Sequence, residues 1–355
     1  MAYLTSLVLA LGLASSALAQ CGAGSPEATV DGSEGSYVAT AGGSEVYSGS
    51  DYLAAIQTAI DSISAGQRVS VIASGSIGES NSINIDSGKT FEGCGTIDVG
   101  YRHARGAINS LDTTDVSIPY LKMTGNPYFG LRFYGVENLS LGEIELNLSA
   151  GIGIRFDRDK AANKNVTMGT IRVNGATEHA VETWNIDGLE IGSVIARDVG
   201  ECGLLLQNTI NAHVGLVDGD NVATGSGYGT LRFANQNGRL PDGSYTPNVF
   251  IDSVVSRGGG RGVFCVSESG GAVIENVDLA DNGNNAMLIE NCYDLTIKGG
   301  TVNGGGDIRI SARDEFENTR DVSISVEAND VNVRESPCGD NTKWDISGSA
   351  SLDVC

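Results

Sequence analysis

The chain has 355 residues, with 22 basic and 44 acidic side chains and a formal charge of −22. That balance argues against a nucleic-acid binder, which needs cationic surface to displace counterions. Hydrophobic residues make up 41%, enough for a packed core, so a disordered chain is excluded.

In chain order, the first 19 residues read MAYLTSLVLALGLASSALA. The apolar run Leu7–Leu13 and the small residues before Gln20 predict a secretory signal cut after Ala19. No Lys or Arg opens it, a departure from the usual pattern. No later apolar run is long enough to span a bilayer, and the C-terminal SLDVC is no lipid-anchor tail. A secreted, extracellular protein without a membrane segment is expected. Residues 20–50 form an N-terminal segment. Residues 51–64, DYLAAIQTAIDSIS, place Leu53, Ile56, Ile60 and Ile63 on one face of a short helix. The strand VSVIASGSI follows it.

From Phe129 a pattern repeats. The segments are FGLRFY, IGIRFD, HAVETW, CGLLLQ, GTLRFA, RGVFCV, NAMLIE and GDIRIS. Their third positions are all apolar: Leu131, Ile154, Val181, Leu204, Leu231, Val263, Met287 and Ile308. Their fifth positions are apolar except at Thr183. Successive anchors lie 21 to 32 residues apart. A second family of alternating strands falls between them, from LSLGEIEL at Leu139 to LTIKGGTV at Leu295. Short strands at this period predict stacked coils, each burying its apolar face on its neighbour. The expected fold is all-β: a right-handed parallel β-helix (a solenoid) of about ten coils, with the helix as N-terminal cap. It would form one domain over residues 51–328, followed by a C-terminal tail at 329–355.

The helix-then-strand entry and the coils resemble the pectin-lyase-like β-helix superfamily, over residues 51 to about 328. The resemblance implies a carbohydrate-active enzyme. Members often use Arg or Lys as base, with Arg or calcium on the substrate carboxylate.

Seven cysteines in an oxidising compartment should mostly pair. Cys338–Cys355 would clasp the tail, Cys21–Cys94 would tie down the N-terminus and Cys265–Cys292 would link coils, although spacing alone does not fix connectivity. Cys202 is the expected free thiol, placed inside by its register. Asn138, Asn147 and Asn165 each open a glycosylation triplet.

With positions three and five inward, positions two, four and six should face out. Position four reads Arg132, Arg155, Glu182, Leu205, Arg232, Phe264, Leu288 and Arg309. Position six adds Tyr134, Asp157 and Trp184. Position two is mostly small, which suggests the floor of a groove. Arginines clustered on so acidic a chain point to an anionic ligand, and the insertions Asp157–Asn165 and Ala234–Pro247 should line its rim. An acidic polysaccharide is the expected partner.

For β-elimination, Arg155 and Arg232 are the leading residues, with Arg132 and Lys160 as alternatives, because Arg clamps a carboxylate bidentately. For hydrolysis, Asp157 and Glu182 would serve; strand geometry puts their Cα atoms roughly 8 Å apart, and inverting carboxyl groups stand roughly 6.5–9.5 Å apart. Arg155 and Glu182 are also direct neighbours, as in a structural ion pair. A non-catalytic glycan-binding solenoid is a third reading. Arg132, Tyr134, Lys160, His179, Trp184, Arg239 and Arg309 would hold neighbouring sugars. Glu182 and Arg232 are both expected to be needed for activity but not for stability. No cofactor is required on this reading, and two carboxylates, Glu178 and Glu201, are a weak calcium signal. A monomer is expected, with Leu205, Phe264, Val266 and Leu288 as a groove wall or a subunit contact.

Overall fold

The computed structural model describes residues 20–79, 81–225 and 227–355; the expected signal, at 1–19, lies outside them. Apolar residues at positions three and five cannot be buried by one coil, and they are buried by stacking. Twelve short parallel strands, from Ile83–Asn84 to Ser351–Asp353, form one sheet. Its register joins Leu131 to Ile154, then Val181, Leu204, Leu231 and Val263. A second sheet of seventeen strands forms the remaining sides, and its long strands pair coil to coil in the same parallel sense. The chain is thus a right-handed parallel β-helix. It has twelve coils rather than about ten, because strands Ile83–Asn84 and Gly106–Leu111 precede the repeated segments and Asn332–Glu335 and Ser351–Asp353 follow them.

Both ends differ from the sequence-based expectation. Three antiparallel strands, Ala28–Ser33, Ser36–Ala41 and Ser44–Gly49, come before the helix. The first of them pairs in parallel with Arg68–Val71 and so starts the stack. The cap helix α1 runs Tyr52–Asp61; its N-cap Asp51 accepts the Ala54 amide at 3.0 Å, and Ile56 and Ile60 are fully buried. Lys89 donates to the carbonyl of Ile60 at 2.9 Å, placing a cation at the helix C-terminus. The tail is no separate cover, since Lys343–Ser347 and Ser351–Asp353 extend the two sheets.

Inside, the fifth positions stack: the rings of Phe133 and Phe156 are 5.2 Å apart. Thr183, the polar exception, donates to the Leu205 carbonyl at 3.3 Å, so its burial is satisfied. The disulfides Cys21–Cys94, Cys265–Cys292 and Cys338–Cys355 are formed, and Cys202 is free.

Position two departs from simple alternation. A β-carbon on Gly262 would lie 2.9 Å from the interior side chain of Leu279, and one on Gly130 would meet the Gly153 carbonyl at 2.6 Å. These small residues turn inward at the start of the ladder strand and do not floor a groove. Position one faces out instead, as the Arg155 guanidinium 5.5 Å from the Phe129 ring shows.

Candidate functional site

The ladder of position four is the outer face of the twelve-stranded sheet, and its pairs run as expected: Arg132 beside Arg155, Arg155 beside Glu182, Leu205 beside Arg232. Chemically it divides into two halves.

In the first half every charge is paired. Asp157 accepts from Arg132 Nε and Nη2, at 2.9 and 2.5 Å, and faces Arg155 Nε at 3.4 Å. Glu182 accepts from Trp184 Nε1 at 2.8 Å and Gln207 Nε2 at 2.9 Å, and its other oxygen pairs with Arg155. Both carboxylates are buried. Around them, Lys160 and Arg132 lie over the Tyr134 ring, and Arg158 over Trp184. The first insertion therefore does line this rim. Arg239 of the second insertion lies elsewhere, lining a cavity of about 340 Å³ with Asn185 and Asn208 at the corner where the ladder strands end.

The second half centres on Glu201. It takes a contact from His179 Nε2 at 3.0 Å and a hydrogen bond from the Tyr228 hydroxyl. The His179 ring packs edge-on to Tyr228, with centroids 5.4 Å apart. Burial opposes a positive charge on His179, but the Cys202 sulfur and the carboxylates of Glu201 and Glu182 outweigh it and raise its pKa. The Cys202 amide donates to His179 Nδ1 at 3.1 Å, which uses the lone pair there. In the neutral ring that bond selects the tautomer with Nε2–H toward Glu201. Burial raises the Glu201 pKa, yet the bonds from His179 and Tyr228 and the Arg232 charge bring it below the ordinary range. Burial and Glu201 together raise the Tyr228 phenol, which keeps its proton.

Arg232 stands over the rings of Tyr228, at 5.3 Å, and Phe264, at 5.0 Å. Its Nε is buried with no acceptor. Arg261 stacks on the same Phe264 ring at 4.7 Å, and its Nη1 likewise lacks an acceptor. Burial and the charge of Arg232 lower the Arg261 pKa. Three coils beyond Arg232 along the ladder, Arg309 Nε is also unmatched, while its Nη2 reaches the Ser336 carbonyl at 3.4 Å.

The apolar group Leu205, Phe264, Val266 and Leu288 is no open patch. It is buried together with Cys202 and Ala234, partly beneath Tyr228 and the stacked arginines. Cys202 is thus buried on the ladder side, not among the interior residues. His213 lies on the seventeen-stranded sheet, between Glu190 and Asp252 and away from the ladder. Tyr228, Glu201 and Arg261 were not singled out as ladder residues. Only Glu201 carried a signal, a carboxylate just before a repeat segment.

No model of a known protein family matches the chain, and no curated protein matches its sequence. Solved structures do. The A-module of mannuronan C-5 epimerase AlgE6 from Azotobacter vinelandii superposes with a TM-score of 0.54, over 86% of this chain and 94% of that one, at 13% identity. The A-module of mannuronan C-5 epimerase AlgE4 from the same organism gives a TM-score of 0.51 at 14% identity, over the same shares of the two chains. The chain shares the β-helix fold of these modules.

Proposed function

We propose that the protein is a secreted polysaccharide lyase acting on a uronic-acid-containing glycan laid along the ladder. The observation that carries this is Arg232: a guanidinium with an unmatched N–H, beside the Glu201–His179–Tyr228 group, on a chain of net charge −22. A uronate carboxylate there would supply the missing acceptor, and its neutralisation would stabilise the carbanion formed on loss of the α-proton.

In β-elimination the base takes the C5 proton, its electrons form the C4=C5 double bond, and the C4–O bond breaks. Arg232 would hold the carboxylate. Arg261 is the suggested base, since burial and Arg232 already weaken its hold on a proton. Tyr228, which keeps its proton, would give it to the departing oxygen. Arg132, Arg155, Asp157 and Glu182 would hold the wall beside this centre. Hydrolysis is less well served, because both oxygens of Asp157 and of Glu182 are occupied by donors. A second reading, epimerisation, starts from the same loss of the C5 proton and is favoured by the names of the two fold neighbours. There a proton would return to the opposite face of C5 and no bond to oxygen would break.

The test is turnover of polyuronates by Arg232→Ala and Tyr228→Phe. Activity should fall at least about a hundredfold, as for removal of a charge-stabilising or acid–base group, with melting temperatures near that of the parent. Unchanged turnover in Arg232→Ala would overturn the assignment. Changed sugar composition without chain cleavage would establish epimerisation in its place.

A further inference from the structure

We infer a second carbohydrate-binding site at the cap end of the ladder: a pocket for a carboxylate-bearing sugar remote from Arg232. It rests on the reading of the ladder as a uronate surface. A cavity of about 400 Å³ opens there between helix α1 and the first two ladder strands. That is within the size range of small-ligand pockets, roughly 300–1,000 Å³. Arg102, Arg105, Asn84, Asn109, Gln57 and Asp51 line it.

Three observations give it a chemistry. First, Arg102 and Arg105 are exposed, and neither guanidinium meets a carboxylate among the described residues. Most arginines elsewhere on this acidic chain are paired, so two free ones in one cavity mark a place for an anion. The Asp51 carboxylate also lines the cavity, but it accepts the Ala54 amide as helix cap. Second, Asn109 is 6% exposed, donates to Asn84 Oδ1 at 3.3 Å, and leaves its own Oδ1 without a donor. Buried amide oxygens are normally satisfied, and a sugar hydroxyl is a donor of the right kind. Third, aromatic residues flank these arginines in the chain. Tyr128 packs against His103, with centroids 4.9 Å apart, and against Tyr101, at 5.8 Å. Tyr101 is 46% exposed, a large ring left open to solvent. A cavity pairing cations with hydroxyl acceptors, its arginines flanked by aromatic residues, suits an acidic sugar better than inorganic phosphate or a peptide.

Register ties the pocket to the main site. Asn109 pairs with Arg132, and the ladder continues through Arg155, Glu182 and Leu205 to Arg232. Five coil steps of about 4.8 Å put the two sites roughly 24 Å apart. Only a chain of several sugars can occupy both. The pocket should therefore act as an anchor, raising the effective concentration of a long chain at Arg232 while a disaccharide bound at Arg232 ignores it.

The experiment measures calorimetric binding of a uronate disaccharide, a long oligouronate and a neutral oligosaccharide of equal length. The proteins are the full chain carrying Tyr228→Phe to suppress turnover, the same protein with the double variant Arg102→Ala/Arg105→Ala, and the same protein with Arg232→Ala. The double variant should bind the long oligouronate about tenfold more weakly, the effect of losing one charge-assisted contact. Its affinity for the disaccharide and its melting temperature should not move. Equal loss for short and long ligands, no loss for either, or equal binding of the neutral chain would overturn the pocket. Because binding is read in turnover-suppressed protein, a failed lyase assignment appears separately: the long oligouronate would still bind through Arg102 and Arg105 while the parent protein does not cleave it.

Discussion

At the scale of single residues, the two halves of the ladder should respond oppositely to mutation. Glu182 is buried and holds Arg155, Trp184 and Gln207, so Glu182→Ala leaves the half-buried Arg155 with only its longer contact to Asp157 and strips the acceptor from the buried Trp184 and Gln207 N–H groups. Leaving buried donors without their acceptor costs about 1–3 kcal/mol, readable in denaturant unfolding. Arg232→Ala removes a side chain with no ion-pair partner and should leave unfolding within about 1 kcal/mol of the parent. The sequence-based expectation that both residues can be changed without loss of stability therefore survives only for Arg232. Equal loss in the two variants would show that Arg232 is structural as well. Asn138 and Asn165 illustrate another residue-scale constraint. Both are exposed at successive corners with φ of 58° and 53°, a conformation Asn tolerates well, and their amides are bonded to each other at 3.1 Å.

At the scale of elements, the ends of the solenoid are closed by buried carboxylates. At the start, Glu92 accepts from Arg68 at 3.0 Å, Ser70 at 2.5 Å and the Gly22 amide at 3.3 Å, beside the Cys21–Cys94 bond. At the finish, Glu335 collects the Gly339 and Cys355 amides, the Thr342 hydroxyl and Trp184's counterpart in the tail, the Trp344 indole. Burial alone would raise the Glu335 pKa, but these donors outweigh it and lower it. A carboxyl whose folded pKa is depressed stabilises the fold above its unfolded pKa and loses that contribution as pH falls through the folded value. The last coils should therefore loosen first in acid, seen as faster amide exchange over residues 332–355. Glu335→Gln should exchange faster already at neutral pH and show a smaller further change on acidification. Exchange that responds to acid identically in parent and variant would contradict this role. The cap helix allows a milder test: Asp51→Ala removes the N-cap bond and should cost about 1 kcal/mol.

At the scale of the whole molecule, stacking makes stability a sum over neighbouring coils. Phe133→Ala opens a void between the Phe133 and Phe156 layers and should lower unfolding free energy by about 3–5 kcal/mol. Periodicity made this architecture legible. The inward residues at positions three and five and the arginine ladder follow from a period that sequence displays directly, whereas spacing does not fix the disulfide pairs, and Cys202 is free as expected but lies on the ladder side rather than inside. What escaped was set where the period breaks. The start of the ladder strand turns position two inward and position one outward, so Arg261 belongs to the outer face although strict alternation would bury it. Tyr228 enters from a coil corner of irregular length, which no repeat aligns. The pairing of Asp157 with Arg132 depends on arginine rotamers between adjacent coils, which residue spacing does not encode, whereas the Arg155–Glu182 pair is legible from register.

The most direct test of the central claim is incubation of the protein with a polyuronate while ultraviolet absorbance and new reducing ends are followed together. Elimination predicts that both rise with the parent protein and that neither rises with Arg232→Ala. Reducing ends without absorbance would contradict it and return the chemistry to Asp157 and Glu182.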